Sequence, residues 1–428
     1  MLDVLLGLQW GDEGKGKIVD VFAPNYDIIA RFQGGPNAGH TLEFDNKKII
    51  LHTIPSGIFR EKVVNIIGNG VVIDPLIFFK EVKEVEAYCQ PRKNLIISSK
   101  AHLILPSHRL LDAAYEKKKA SSKIGSTLKG IGPTYTDKYA RIGLRVGDAL
   151  TAKFVDKYKA LKEAHLEIMR SMQFEVDDFL IEKMSFSEYE KQWLHDVQRL
   201  KEFQIEETEY YINEALNASK NILAEGAQGS LLDVDFGSYP FVTSSNTISA
   251  AVCNGLGIAP TKINKIFGVF KAYCTRVGSG PFPTELDDEN GEMLRKTGHE
   301  FGSTTGRPRR CGWLDIPALN YAVMLSGVTD LIITKVDVFD ELKSIKVCTN
   351  YIINGNKTDK IPFNMDEFDI GTDFERMDVW NKNLAEHLGN ESNIPKELES
   401  FLSVIETHTK TPICFISYGP NRKQIITR

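Results

Sequence analysis

The chain has 428 residues, 42% hydrophobic and 25% charged, with 57 acidic side chains against 52 lysines and arginines. Such a length can bury a large core, and a net charge of −5 leaves no broad basic surface for nucleic acid. No apolar run of membrane length and no N-terminal signal is read, and six cysteines without C-x-x-C spacing favour reduced thiols over a zinc site, so the expectation is a cytoplasmic protein that does not engage membranes.

The first predicted element is a strand carrying Val4, Leu5, Leu6 and Leu8, and it runs into Q-W-G-D-E-G-K-G-K at residues 9–17. Glycines 11, 14 and 16 let the backbone turn tightly and bring its N–H groups against a phosphate, and residues 18–22 read as the opening of a helix whose N-terminus favours anions. Lys15 and Lys17 add positive charge. Residues 11–17 satisfy the first seven positions of the P-loop pattern, yet Ile18 lacks the hydroxyl that normally holds Mg²⁺. Asp12 is the nearest hard oxygen donor. A carboxylate beside polyphosphate is repulsive unless a cation bridges the two or the carboxylate handles a proton.

A second apolar run (Tyr26, Ile28, Ile29, Ala30) leads to Q-G-G-P-N-A-G-H-T at 33–41, irregular backbone suited to a ligand around Asn37 and His40. A lone histidine is more often structural. His40, however, is read in a glycine-bounded turn at the end of a parallel strand, where open α/β sheets bind ligands. Further apolar runs at 63–67, 95–97, 222–224, 266–270, 331–334 and 413–416 alternate with helical stretches such as 75–88 and 186–216. This alternation predicts an α/β fold, a large mostly parallel sheet flanked by helices with a P-loop-like nucleotide site. Lysines 117–119 read as an exposed basic face. The charged, glycine-poor segment 151–217 reads as a helical insertion in which Trp193 is a core anchor. Near the end of the chain, L-I-I-T-K-V-D at 331–337 is a buried strand running into T-K-x-D. The carboxylate of Asp337 can accept both the ring N–H and the exocyclic amine of guanine, a pair that adenine lacks, while the stem of Lys335 covers a purine face. Chemistry-bearing strings thus scatter from Asp12 to Gly419, which predicts one α/β domain over residues 1–428.

These strings, taken in order, resemble the adenylosuccinate synthetase family. The resemblance extends through I-G-S-T-L-K-G-I-G-P-T-Y (124–135), A-R-I-G-L-R-V-G-D (140–148), E-G-A-Q-G (225–229) and Y-P-F-V-T-S-S-N-T (239–247). It continues in R-V-G-S-G-P-F-P-T-E (276–285), F-G-S-T-T-G-R-P-R-R-C-G-W (301–313) and S-Y-G-P-N-R (417–422). What the resemblance implies is a homodimeric ligase that joins L-aspartate to IMP with GTP and Mg²⁺, giving adenylosuccinate, GDP and phosphate through 6-phosphoryl-IMP, the first committed step from IMP to AMP. It implies Asp12 as proton acceptor, His40 as general acid and Lys15 as neutraliser of the transferred group, with Mg²⁺ on Asp12 and the Gly39 carbonyl. GTP would lie on Gly11, Asp12, Glu13, Gly14, Lys15, Gly16, Lys17, Gly39, His40, Thr41, Arg309, Lys335, Val336, Asp337, Ser417, Tyr418 and Gly419. IMP would lie on Asp12, Glu13, Gly14, Lys15, Asn37, Ala38, Gly39, His40, Thr127, Gln228, Thr243 and Arg307, with Arg141 reaching the site of the other subunit. L-Aspartate would lie on Ser303, Thr304, Thr305, Gly306, Arg307, Pro308 and Arg309. An arginine fork suits a 5′-phosphate, and amide and hydroxyl groups can read a purine edge and ribose. Two guanidinium groups as close as Arg307 and Arg309 are costly to bury without an anion, which leads to the expectation that both await an anionic ligand.

Two other readings compete. A regulatory GTPase switch would also carry a phosphate loop and T-K-x-D, but Ile18 replaces its usual Ser or Thr. A silent nucleotide-binding module would have lost the chemical groups, whereas Asp12, Lys15, His40 and Arg307 are all present.

Overall fold

Along Leu2–Gly7 the side chains of Leu2, Val4 and Leu6 enter one apolar core and Leu5 enters another, so a single short strand is buried on both faces. That strand is the centre of the molecule. The computed structural model describes residues 1–119, 125–302, 306–365, 367–380, 383–390 and 393–428. Ten strands form the principal sheet: β1 (Leu2–Gly7), β2 (Ile28–Arg31), β3 (Val64–Ile67), β4 (Leu95–Ser98), β5 (Gln204–Glu206), β6 (Ile222–Glu225), β7 (Ile263–Lys271), β8 (Asp330–Thr334), β9 (Ile413–Ser417) and β10 (Ile425–Thr427). Their order is β10-β9-β8-β7-β1-β6-β2-β3-β4-β5. Every neighbouring pair is parallel except β9 with β10. The mostly parallel sheet expected from the apolar runs is therefore present, and its loops gather at the carboxyl ends of the strands.

One face packs α1 (Lys15–Phe22) through Ile18, Val19 and Phe22 against Leu5, Ile29, Leu223 and Ile332. A further large core lies among α2 (Pro75–Val85), α3 (Pro106–Lys118), α4 (Phe154–Ser171) and α5 (Phe186–Arg199). Trp193 is its anchor as expected: it is fully buried, stacks on Tyr158 at 5.3 Å and donates from Nε1 to the Ile104 carbonyl at 2.8 Å.

The structure corrects the sequence reading in three places. The helical stretch read over 186–216 is broken into Phe186–Arg199 and Thr208–Asn217, and between them β5 joins the edge of the sheet. A three-residue strand reading Q-I-E carries too little apolar periodicity to betray itself. His40 does not lie in a turn but opens the antiparallel hairpin His40–Phe44/Lys47–Leu51, whose reversal at Asp45 and Asn46 (φ 48° and 59°) suits those two residues. A second sheet built on Ile345–Ile353, paired with Leu314–Asp315, Asn356–Thr358 and Ile370–Met377, was not anticipated.

Candidate functional site

The loop after β1 takes left-handed backbone at Gly11, Asp12 and Gly14 (φ 90°, 60° and 87°), and the helix opens at Lys15, three residues earlier than expected. Asp12 is the non-glycine residue in this run, a conformation that aspartate tolerates better than most side chains. Glu13 turns inward: it is fully buried and accepts from the backbone N–H of Gln9 (3.1 Å) and Gly11 (2.9 Å) and from Lys15 Nζ. A side-chain carbon at Gly7 would stand 2.2 Å from a Glu13 carboxylate oxygen, and one at Gly229 would stand 2.2 Å from the Gln9 carbonyl and 2.5 Å from Glu13, so Gly7 makes room for Glu13 and Gly229 for both. Glu13 is thus the pin under the loop, and any contact it makes with a ligand falls to its backbone.

Neighbouring strand ends close around this loop. A side-chain carbon at Gly16 would stand 2.7 Å from His40 Cβ, and Thr334, at the end of β8, donates to the Glu13 carbonyl at 2.8 Å. Lys17 donates to Ser417 Oγ (2.7 Å), the Gly419 carbonyl (2.7 Å) and the Gln424 carbonyl (2.8 Å), so its ammonium clamps the loop after β9. Burial pushes this ammonium down to about 8, against the attraction of Asp337 and Glu43. Thr247 Oγ1 donates to the Gly229 carbonyl at 2.9 Å, which joins the 225–229 and 239–247 strings. The buried Asp233 accepts from Thr247 N–H at 2.6 Å and organises the same turn, and Thr243 N–H donates to the Leu232 carbonyl at 2.9 Å.

Within this enclosure four buried polar atoms find no hydrogen-bond partner among the described residues: Asn37 Oδ1, His40 Nε2, Gln228 Oε1 and Asp337 Oδ1. Each leaves about 1–3 kcal/mol of desolvation uncompensated, and all four belong to residues singled out from the sequence. His40 is held from its other side, with Nδ1 2.6 Å from Glu225 Oε1. Burial pushes the imidazole down and the Glu225 contact opposes it. Burial likewise raises the Asp337 carboxyl, opposed by a backbone hydrogen bond and by Lys335 and Lys17.

Beneath Asp12 lies a network that sequence reasoning missed. Glu300, fully buried, accepts from Arg309 Nη1 at 2.6 Å, Tyr273 Oη at 2.6 Å, Lys335 Nζ at 3.0 Å and Lys271 Nζ at 3.3 Å. Burial alone would raise this carboxyl, but Lys271, Lys335 and Arg309 hold it well below the usual carboxylate range. Arg309 Nε also lies 2.8 Å from Asp12 Oδ2. Arg309 is therefore not the uncompensated guanidinium expected from the sequence, since it pairs with Glu300 and Asp12, although Glu300 is shared with Lys271 and Lys335. Arg307 is exposed, and a side-chain carbon at Gly125 would stand 3.6 Å from its Nη1. Thr127 and Arg141 are exposed as well, Arg141 at the left-handed C-cap (φ 66°) of the helix Ile131–Ala140. Gly306 and Pro308 are exposed, whereas Ala38, Val336 and Tyr418 are buried and Gly39 and Thr41 half-buried. Ser303, Thr304 and Thr305 lie outside the described residues. Lysines 117–119 are exposed, as read.

His108, Asp137 and His165 also converge, with both Nε2 atoms at 2.8 and 3.0 Å from Asp137 Oδ2. The Leu105 backbone N–H donates to His108 Nδ1 at 2.9 Å, which forces the ring proton onto Nε2 and leaves no lone pair there for a cation. This triad is a buried brace between the helices at 106–118, 131–140 and 154–171. All six thiols are free. No helix among the described residues is long and apolar enough to cross a membrane.

The family model described as adenylosuccinate synthetase matches residues 4–426. The adenylosuccinate synthetase of Christiangramia forsetii is 54% identical over 428 residues, covering 100% of both chains, and that of Phocaeicola vulgatus is 52% identical, covering 100% of this chain and 99% of the relative. A solved structure of fully ligated adenylosuccinate synthetase from Plasmodium falciparum superposes with a TM-score of 0.90 at 35% identity, covering 100% of this chain and 99% of that one.

Proposed function

The chain belongs to the adenylosuccinate synthetase family, and from that membership we infer a GTP-dependent ligase that joins L-aspartate to IMP and releases adenylosuccinate, GDP and phosphate. In this reading Asp12 takes the proton from the ring nitrogen of IMP. The 6-oxygen, now anionic, forms a bond to the γ-phosphorus of GTP as the bond to GDP breaks, giving 6-phosphoryl-IMP. Phosphate leaves far more readily than hydroxide, so the amino group of aspartate displaces it at the purine carbon. His40 works from Nε2: with Nδ1–H committed to Glu225, it donates to the 6-oxygen when the ring carries both protons, an assistance of about 10²–10⁴ in rate. Asn37, Gln228 and Asp337, each with a buried polar atom that lacks a partner among the described residues, would serve the substrates in this reading, Asp337 the guanine. Ser417, Tyr418 and Gly419, clamped by Lys17, complete the guanine side, and residues 303–309 take the amino acid.

Mg²⁺ fits the donor set. The Asp12 side chain keeps 31% of its surface open and is a hard oxygen ligand, whereas the Glu13 carboxylate is consumed beneath the loop. Asp12 and the Gly39 carbonyl would hold the ion, which when bound would supply positive charge to offset that of the phosphates. Arg141 is read as completing the partner's IMP site in a homodimer. Its exposure beside Tyr139 (69% exposed) and Ile142 (53% exposed) supports that, since apolar side chains so placed suit an interface. The cytoplasm is the proposed compartment.

The observation that carries this reading is the set of four unpartnered polar atoms enclosed with Asp12 at the carboxyl ends of parallel strands. A spectroscopic assay for adenylosuccinate tests it, with GTP, IMP and aspartate each omitted in turn. Product is expected only when all three are present, and Asp12→Asn should lower kcat about 10²–10⁴-fold without loss of fold. Hydrolysis of GTP without the other two substrates would favour a switch instead.

A further inference from the structure

We propose that Glu225 is a positioning residue that acts through His40: it fixes the imidazole so that Nε2, and not Nδ1, meets the reacting groups. The proposal rests on the reading of His40 given above and extends it to a residue at the end of β6 whose carboxylate is engaged by His40 and Ser56. Glu225 is fully buried. Its Oε1 accepts from His40 Nδ1 at 2.6 Å and from the Ser56 hydroxyl at 2.6 Å, and its Oε2 accepts from the Ser56 backbone N–H at 2.8 Å. Three donors converge on one carboxylate, which as an anion can only accept, so the Nδ1 proton resides on His40. The other ring nitrogen, buried and without a partner among the described residues, is the one presented to the site.

The surroundings allow little else. Arg31 stands opposite Glu225 in the strand register, donates from Nη1 to the His52 carbonyl at 3.1 Å and stabilises the carboxylate charge. Lys15 and Arg31 are the cations that act on the imidazole, Glu225 is the anion, and Glu81 and Tyr135 act on Arg31. The close approach of Gly16 to His40 Cβ fixes where the ring is rooted, and Glu225 fixes how it is turned. Flipping the ring would present a carbon to the carboxylate and break a charge-assisted hydrogen bond inside the protein.

Glu225→Gln discriminates positioning from bulk stability. With its carbonyl oxygen kept on the Ser56 N–H, the new amide must donate to Nδ1, so the neutral ring's proton moves to Nε2, and the doubly protonated ring that acts as the acid loses both its Nδ1–H acceptor and the anion that supports it. We expect kcat to fall about 10²-fold with KM for GTP and IMP within about threefold, and little further loss when the change is added to His40→Ala. ¹⁵N NMR of the neutral imidazole in the unsubstituted enzyme should show the Nδ1–H form, and in Glu225→Gln the Nε2–H form. The Nε2–H form in the unsubstituted enzyme would overturn the proposal whether or not the variant folds. So would normal kcat in Glu225→Gln, or additive losses in the double variant. Near-normal turnover by His40→Ala would instead sink the underlying reading of His40.

Discussion

At the scale of single residues, the site is defined by polar atoms left without protein partners, and Asp337 is the sharpest case. Its Oδ1 is buried and unpaired, and its carboxyl is raised by burial. Asp337→Asn should weaken GTP by about 10–100-fold, equivalent to about 1.5–3 kcal/mol for a hydrogen bond to a charged group. The same change should improve use of a purine triphosphate that carries a carbonyl where guanine has its amine. Competition kinetics check this, and an unchanged preference for GTP removes Asp337 from the pocket. Asp337 was legible in the sequence because a strand running into T-K-x-D places a carboxylate at a known end of a sheet. Glu300 and Lys271 were not. Their importance arises from a meeting of residues 29 positions apart with Arg309 and Lys335, and no local pattern encodes such a meeting.

At the scale of elements, legibility follows burial. The parallel strands are covered on both faces, so they appear as apolar runs bounded by glycine-rich loops. β5 sits at an edge and the sheet on Ile345–Ile353 is partly exposed, so their patterns are diluted. Element ends also carry the clearest pH signature. Asp315 caps α6 (Ile316–Ser326) by accepting from Ala318 N–H at 3.0 Å and receives the Tyr351 hydroxyl, and burial pushes its carboxyl up to about 6. A carboxyl raised in the folded state is protonated there while the unfolded chain is ionised. Its contribution to stability is therefore complete below about pH 4 and is lost as pH rises through 6. Asp315→Asn keeps a capping oxygen and has no charge to bury, so the midpoint of the variant relative to the parent should rise between pH 4 and 7. Thermal melts across that range test this; a constant difference would mean that Asp315 does not titrate with folding.

At the scale of the whole molecule, Arg141 lies on the surface beside exposed Tyr139 and Ile142, at a helix end braced by the His108–Asp137–His165 triad. If it completes a partner's site, Arg141→Leu should raise KM for IMP about 10–100-fold, the loss of a charge-assisted phosphate contact. Specific activity of the parent should also fall on dilution as dimers dissociate. Initial rates paired with sedimentation decide the matter, and a fully active monomer would refute it. The strand order has a consequence for how the protein is made. β1 lies between β6 and β7, yet β6 begins at Ile222, so a ribosome that has already delivered Gly7 must add more than two hundred residues before that strand gains a neighbour. At ~5–20 residues per second the wait is roughly ten to forty seconds. Throughout it, neither edge of β1 has a strand to pair with, although α1 can already cover Leu5, which makes the amino-terminal segment a natural target for chaperones that hold emerging chains.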